Sequence, residues 1–440
     1  MANLTLFELP NPRPKPKREA ATGAASVPRV RKAERRQVRL LPTSLDALLS
    51  DDHQARAVWS YVEQLELDEF YGSIGSVEGR AGRPSTDPKI LLTLWVYATI
   101  DGVGSARALE RLCRDHSAYR WICGGVGVVH STLSTFRTES LEAFDRLLTQ
   151  SVALLQHQGL VDLQRVAQDG MRVRASAGAA SFRRRESLEQ CLADAEEQVE
   201  KLRREVAADP SATAKRRQER KERAARRRAE RVKEALKQLP EIEAKKKTEE
   251  KRKKARASTT DPDARVMKMG DGGYRPALNV QFAVDTDSQV IVGVDVSNKG
   301  SDLGELPPMV EQIHERHGVT PPEVLVDGGY VRRKDIDTLA AEPHNCTVYA
   351  PVPKHKKSKI SPYEPRPKDT PAVSAWRVRM GTDEAKEIYK ERAATVECVN
   401  AIARNRGLLR FLVRGLQAAK SVALIYALAH NVARTIALAV

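Results

Sequence analysis

Three carboxylates in this 440-residue chain stand where carboxylates are unusual. Asp169 interrupts the run 164–176, in which Val166, Met171 and Val173 alternate with Arg165, Arg172 and Arg174. That period of two is the pattern of a half-buried β-strand, where aspartate is depleted. Gly170 follows directly. One reading is a bulge or strand end with a solvated aspartate; the other is a ligand group held on a rigid strand. Asp327 closes the apolar run Glu323–Val326 and precedes Gly328 and Gly329. Open α/β sheets carry ligand groups at the carboxyl ends of strands, and paired glycines admit close approach by a backbone or ligand. The same aspartate would serve as a helix N-cap. Glu397 shares one side of a helix with Asn400 and Arg404, next to an apolar stripe of Val396, Val399 and Ala403. A glutamate beside a buried stripe is costly unless it is paired or binds a metal. Arg404, two turns on, competes as its ion-pair partner.

The elements that must bring these acids together fall into four stretches. Residues 1–44 form a flexible basic arm, rich in proline, lysine and arginine and too poor in apolar residues to order itself. It either lies on phosphates or is a solvated tail. Residues 45–160 read as helices. Asp87–Pro88 gives an N-cap with proline at the first helical position, opening the nearly all-apolar helix Ile90–Ile100. His130–Ser131–Thr132 is expected to cap a helix holding Leu133, Phe136, Leu141, Phe144, Leu147 and Leu148. Such a succession of short helices resembles a helix-turn-helix, and equally a small helical bundle.

Residues 181–257 carry 26 basic and 16 acidic side chains, giving +10 of the chain's +16. Leu188, Leu192, Ala195, Val199, Leu202 and Val206 make a heptad seam, broken at Asp209–Pro210–Ser211. Ala225, Ala229, Val232, Leu236 and Leu239 repeat it. Two seams and one breaker predict an antiparallel coiled-coil hairpin inserted into the flanking domain. Its basic runs either hold DNA or keep the hairpin soluble. That flanking domain, 161–180 and 258–440, alternates strands (277–284, 289–296, 323–326, 346–352) with helices (303–317, 334–341, and from about 383 onward). This is an α/β layered pattern.

The totals agree. A pI near 9.6 and a charge of +16 point to a polyanion, with nucleic acid the default partner. The apolar tail 421–440 is interrupted by His430, Asn431 and Arg434 and reads as a buried helix, so no membrane partner is expected. The N-terminus shows no apolar signal region, and five cysteines form no CxxC pair. A reduced, cytoplasmic setting is expected, in association with the nucleoid. The chain has no GxxxxGK[ST] loop, so no nucleotide cofactor is implied. His314 and His317 are three apart with no third ligand nearby. Trp376 reads as packing rather than base stacking.

QDGMRVRAS, DPDARVMK with GYRPALNVQFAVD, LVDGGY, and YKERAATVE with RNRGLLRFLVRGL and LAHNVAR together resemble bacterial insertion-sequence transposases with a ribonuclease-H-like DDE domain. Residues 82–137 are similar to the helical N-terminal domain of the InsH-type members. The resemblance implies a mixed sheet flanked by helices and a catalytic triad at Asp169, Asp327 and Glu397. It also implies a signature on the late helix, matched by Tyr389, Arg392 and Glu397. One residue more than the commonest spacing separates Arg392 from Glu397, and Arg404 stands at a lysine position.

The chemistry so implied is phosphodiester cleavage and joining. It needs positive charge on both entering and leaving oxygens, which two Mg²⁺ ions supply (Mn²⁺ substituting), held by hard carboxylate oxygens. Asp169 would be shared by both ions, Asp327 would bind one and Glu397 the other. Tyr389, Arg392 and Arg404 would contact DNA at the site. Arg80, Arg83, Ser131, Thr132 and Arg137 would contact the terminal inverted repeats. Pairing of two ends in double-stranded DNA implies a homodimer. Two other readings share these residues: a DNA-binding repressor that lost catalysis, and an endonuclease that cuts without joining.

Overall fold

The computed structural model describes residues 44–76, 84–208, 212–353 and 361–438. The expected basic arm as far as residue 43, together with Arg80 and Arg83, lies outside the described residues. The N-terminal part is helical, as its periodicity requires. Pro88–Ile100 starts where Asp87 accepts a hydrogen bond from the Lys89 N–H at 2.8 Å. Nearly all of this helix is buried, the fate of a helix apolar all round.

One boundary differs from expectation. The segment after Gly127 forms two helices, His130–Glu139 and Leu141–His157, meeting at Ser140. The first begins after Val129, whose extended backbone makes it the N-cap position, with no side-chain cap. His130, Ser131 and Thr132 therefore fill the first turn rather than cap it, and His130 Nδ1 lies 2.8 Å from Glu110 Oε2.

The sheet has six strands: β1 (Arg165–Arg174), β2 (Arg265–Lys268), β3 (Tyr274–Asp285), β4 (Ile291–Ser297), β5 (Glu323–Leu325) and β6 (Thr347–Tyr349). Strand β3 pairs antiparallel with β1 along one edge; β2 and β4 share its other edge, also antiparallel. Beyond β1 the sheet turns parallel, with β5 against β1 and β6 against β5. The mixed α/β character expected from the sequence is thus present. The long β3 follows from ALNVQFAV, buried on both faces between Leu278 and Asp285.

Between β1 and β3 the chain leaves the sheet for two long helices, Arg185–Ala208 and Ala212–Ala244. They run antiparallel, with Arg185 paired to Glu243 at the root and Arg203 to Glu222 further out. Leu188, Ala195, Leu202, Ala225, Val232 and Leu239 of the two seams are buried. A two-residue ribbon, Phe182–Arg183 against Ala257–Ser258, closes the neck.

The helix Leu416–Leu438 joins everything. It is the one helix among the described residues long and apolar enough to cross a membrane. Here its apolar face is spent inside, against Pro88–Ile100, Leu141–His157 and β4. Consequently the N-terminal helices and the sheet share one core. Asn431, fully buried on this helix, acts as an extra strand partner for β4. Its Oδ1 accepts from the Ile291 N–H at 2.8 Å, and its Nδ2 donates to the Ile291 carbonyl at 2.9 Å. Replacing it by leucine keeps the volume and orphans both backbone groups. Asn431→Leu should therefore lose about 3 kcal/mol of unfolding free energy, at 1–3 kcal/mol per unsatisfied group, as measured by urea denaturation.

Candidate active site

Parallel pairing sets Ala167 of β1 beside Leu325 of β5. Asp169 lies two residues further along β1 and Asp327 two residues past the end of β5, and the two carboxylates are close enough for Asp327 to act electrostatically on Asp169. Asp327 Oδ1 also accepts the Gly329 N–H at 2.7 Å, which fixes the turn after the strand. Glu397 arrives from the other layer, on a helical segment packed over β1 and β3. Arg392 of that segment meets the acids. Its Nη2 is 3.0 Å from Asp169 Oδ1, and its Nη1 pairs with Glu397 Oε1. Asp327 lies within its electrostatic reach. The three predicted acids and Arg392 thus form one constellation, with Tyr389 half-buried beside it.

Burial pushes the Asp169 carboxyl above its ordinary range; Arg392 opposes this, and the neighbouring Asp327 adds to it. Arg392 is driven the opposite way by burial, but its acidic neighbours outweigh that and leave its charge secured. The Tyr389 phenol is raised, first by burial, with Asp327 and Glu397 adding. Among the described residues no group of three or more His, Cys, Asp or Glu side chains is arranged to hold a metal ion. A guanidinium occupies the space between the acids instead.

Glu397 reaches Arg392 only because the helix is irregular. In an α-helix, residues five apart diverge by about 140°. Ala393–Glu397 forms a π-turn, which adds one residue to a turn without rotating the flanking helices out of register. The extra residue seen in the sequence is absorbed here. A carbonyl freed by the bulge, that of Ala394, accepts from Gln289 Nε2 at 2.9 Å, and Gln289 adopts a left-handed backbone (φ 60°). The ion pair that the sequence spacing offered between Glu397 and Arg404 is made with Arg392 instead. Arg404 is exposed and has no ion-pair partner among the described residues.

Two participants escaped the sequence reading as site residues. Asn400, 1% exposed, donates from Nδ2 to Asp169 Oδ2 at 2.9 Å. Its place on the Glu397 side of the helix was the available signal. On the opposite face of β1, Asp302 accepts from Asn279 at 2.8 Å, Gln281 at 2.9 Å and Arg172 at 2.7 Å. A Cβ on Gly170 would run into this cluster, meeting Gln281 Nε2 at 2.6 Å. Glycine after Asp169 is thus required by packing, and its signal was the Asp–Gly pair itself.

The expected DNA contacts of the helical part divide. Ser131 is exposed and Thr132 half-buried. Arg137 is a correction: it is 5% exposed, donates to the Gly104 carbonyl at 2.7 Å and stacks 4.2 Å over the Trp95 ring. A guanidinium so enclosed ties two helices together and is not available to DNA. Trp376 is buried, donating to the Ala350 carbonyl, in keeping with the packing reading.

Comparison with known families adds an independent line. A family model described as a transposase domain (DUF772) matches residues 43–139, and one described as a transposase DDE domain matches residues 247–432. Together they span more than half of the chain. The chain belongs to the insertion-sequence DDE transposases. No curated relative and no solved structure matched it. The DDE match covers Asp327 and Glu397 but stops short of Asp169. In this transposase the case for Asp169 therefore rests on β1 lying between β3 and β5.

Two predictions follow from this geometry. Because the Asp169 pKa is raised on folding, its ionised form weakens the fold. That loss sets in as pH climbs above the ordinary value of 3.8 and is complete once pH exceeds the folded-state value. Asp169→Asn, which does not titrate, is expected to melt higher than the parent at pH 8. The gap should close as pH falls through the carboxylate range, followed by circular dichroism. Deleting Ala393 should restore a regular helix with arginine and glutamate at i, i+4. Inserting one alanine after Ala394 should misplace Glu397 and cost cleavage at least ~100-fold. Comparable cleavage by the two variants in a nicking assay would refute the role given to the π-turn.

Proposed function

We propose that this protein binds the terminal inverted repeats of its element and catalyses divalent-ion-dependent DNA strand cleavage and strand transfer. The single observation that carries the reading is the convergence of Asp169 and Glu397 on the Arg392 guanidinium, with Asp327 within its electrostatic reach. The strand order supports a ribonuclease-H-like assignment of the sheet: β4, β3 and β1 antiparallel, then β5 and β6 parallel to β1.

The donor chemistry fits hard divalent ions. All three side chains offer carboxylate oxygens, one from β1, one from the turn after β5 and one from a helix, and a positive group already stands among them. Asp169, Asp327 and Glu397 would hold two Mg²⁺ or Mn²⁺ ions. When bound, these supply the positive charge that an in-line phosphoryl displacement requires on its attacking and leaving oxygens.

The chain's own residues do the rest. Asn400 fixes the rotamer of Asp169. Arg392, released from the acids when they are otherwise neutralised, is positioned to bind a phosphate of the scissile strand, as guanidinium does bidentately. Tyr389 presents a protonated phenol beside it, and Arg404, two turns beyond Glu397, a charge with no ion-pair partner among the described residues. Ser131 and Thr132 on the first turn of their helix, with Arg80 and Arg83, would contact the DNA ends, which two copies of the chain would pair.

The decisive assay is a gel with a labelled end of the protein's own element. Asp169→Ala should lose cleavage by more than ~1,000-fold while retaining end binding in a mobility shift. Mn²⁺ should raise the melting temperature of the parent and leave that of Asp169→Ala unmoved. Full cleavage by the variant would overturn the assignment of the acids. Product from a pre-cut end separates strand transfer from cutting alone.

A further inference from the structure

A groove of about 680 Å³ lies where the root of the helical hairpin meets the edge of the sheet. Six of its lining residues are basic (Lys245, Lys246, Lys254, Arg256, Arg265 and Lys299), and no carboxylate lines it. They come from four separate places in the chain: the end of the second hairpin helix, the return segment, β2, and the loop after β4. Four chain segments placing like charges in one concavity raise its positive potential and favour a polyanion there. Three of the lysines are balanced from outside the groove: Lys245 by Glu241 at 2.7 Å, Lys299 by Glu305 at 2.9 Å, and Lys254 by Glu250. Arg265 is held by the Gln238 side chain and by backbone carbonyls. Lys246 and Arg256 are exposed and have no ion-pair partner among the described residues.

The groove wall is tied to β1 on the face opposite Asp169. Arg172, three residues along from Asp169, donates to the carbonyl of Gly300 in the groove wall at 3.3 Å. The neck ribbon and the Arg265–Gln238 contact fix the hairpin root to the sheet, so the groove is built on ordered elements.

We propose that this groove is a second DNA-backbone site, seating a duplex segment away from the bond that is cut. The proposal rests on the transposase reading for the identity of the polyanion; the groove's charge and construction stand without it. Lys246 and Arg256 are the two groups free to take phosphates.

The test is Lys246→Gln with Arg256→Gln in the full-length protein. Binding of a fluorescein-labelled duplex carrying the element's end is followed by anisotropy at several salt concentrations without divalent ions. Both positions are exposed, so the double variant should melt with the parent. Its affinity should fall about tenfold at 0.15 M salt, and its log K against log salt slope should shallow by ~2, near 0.9 per lost contact. Lys237→Gln, on the outward side of the same helix, should change neither. If the parent binds and cuts this DNA while the double variant keeps its affinity and slope, the groove proposal falls and the transposase reading survives. If the parent neither binds nor cuts it, both fall.

Discussion

Everything at the centre of this molecule depends on a positive charge among carboxylates. Adjacent parallel strands bring Asp169 and, just past the end of β5, Asp327 within electrostatic reach of each other, and a third acid is laid over them from a helix. Without a counter-charge, that arrangement would push the helix off the sheet. Arg392 provides it, with one nitrogen on Asp169 and another on Glu397. Because the side chain is 9% exposed, the attraction is screened far less than a surface pair would be. The same constraint makes the site responsive. Any agent that neutralises the acids more effectively frees Arg392, and a freed guanidinium next to a substrate phosphate is useful.

The helix that carries Arg392 had to satisfy two demands at once. Its apolar residues, Val396, Val399 and Ala403, must reach the core, while Arg392 and Glu397 must share a side. With the two positions five residues apart, no regular α-helix does both. The π-turn reconciles them, and its cost, a freed carbonyl, is met by Gln289 from the β3–β4 turn. That turn is itself held by Asp285, whose Oδ2 accepts from the Ser288 N–H at 3.0 Å and from its hydroxyl. A local irregularity at a functional segment is thus supported by a residue more than a hundred positions away.

These facts mark what could be read from sequence. The alternation around Asp169, the apolar run before Asp327 and the stripe beside Glu397 were legible because burial imposes a period on side chains. The sequence shows that each acid sits beside buried material. It does not show which cation stands between them, since Arg392 and Arg404 look alike in one dimension. Arg137 was misread for a related reason. A charged residue about two turns into a capped-looking helix suggests an exposed contact, and nothing local signals that Trp95 and the Gly104 carbonyl will enclose it. Ser131 and Thr132 were read as caps on composition, whereas the position is set by backbone geometry, and Val129 holds it. Long-range polar partners such as Asn400 and Asp302 become visible only when strands are paired.

The hairpin poses the remaining architectural question. More than seventy residues leave between β1 and β3, two strands that pair along nine residues. Loop-closure entropy grows only slowly with length, so the sheet tolerates the insertion provided its ends are pinned. They are pinned more heavily than closure alone needs. Besides the neck ribbon, Gln238 of the hairpin donates to Asp263 Oδ1 at 2.8 Å, and Asp263 Oδ2 accepts the Leu416 N–H at 2.9 Å. One carboxylate therefore joins the hairpin to the first turn of the helix that organises the whole core. An insertion that served only to stay soluble would have no use for that link. A hairpin meant to hold its charges in a fixed place relative to the sheet that carries Asp169 would need it.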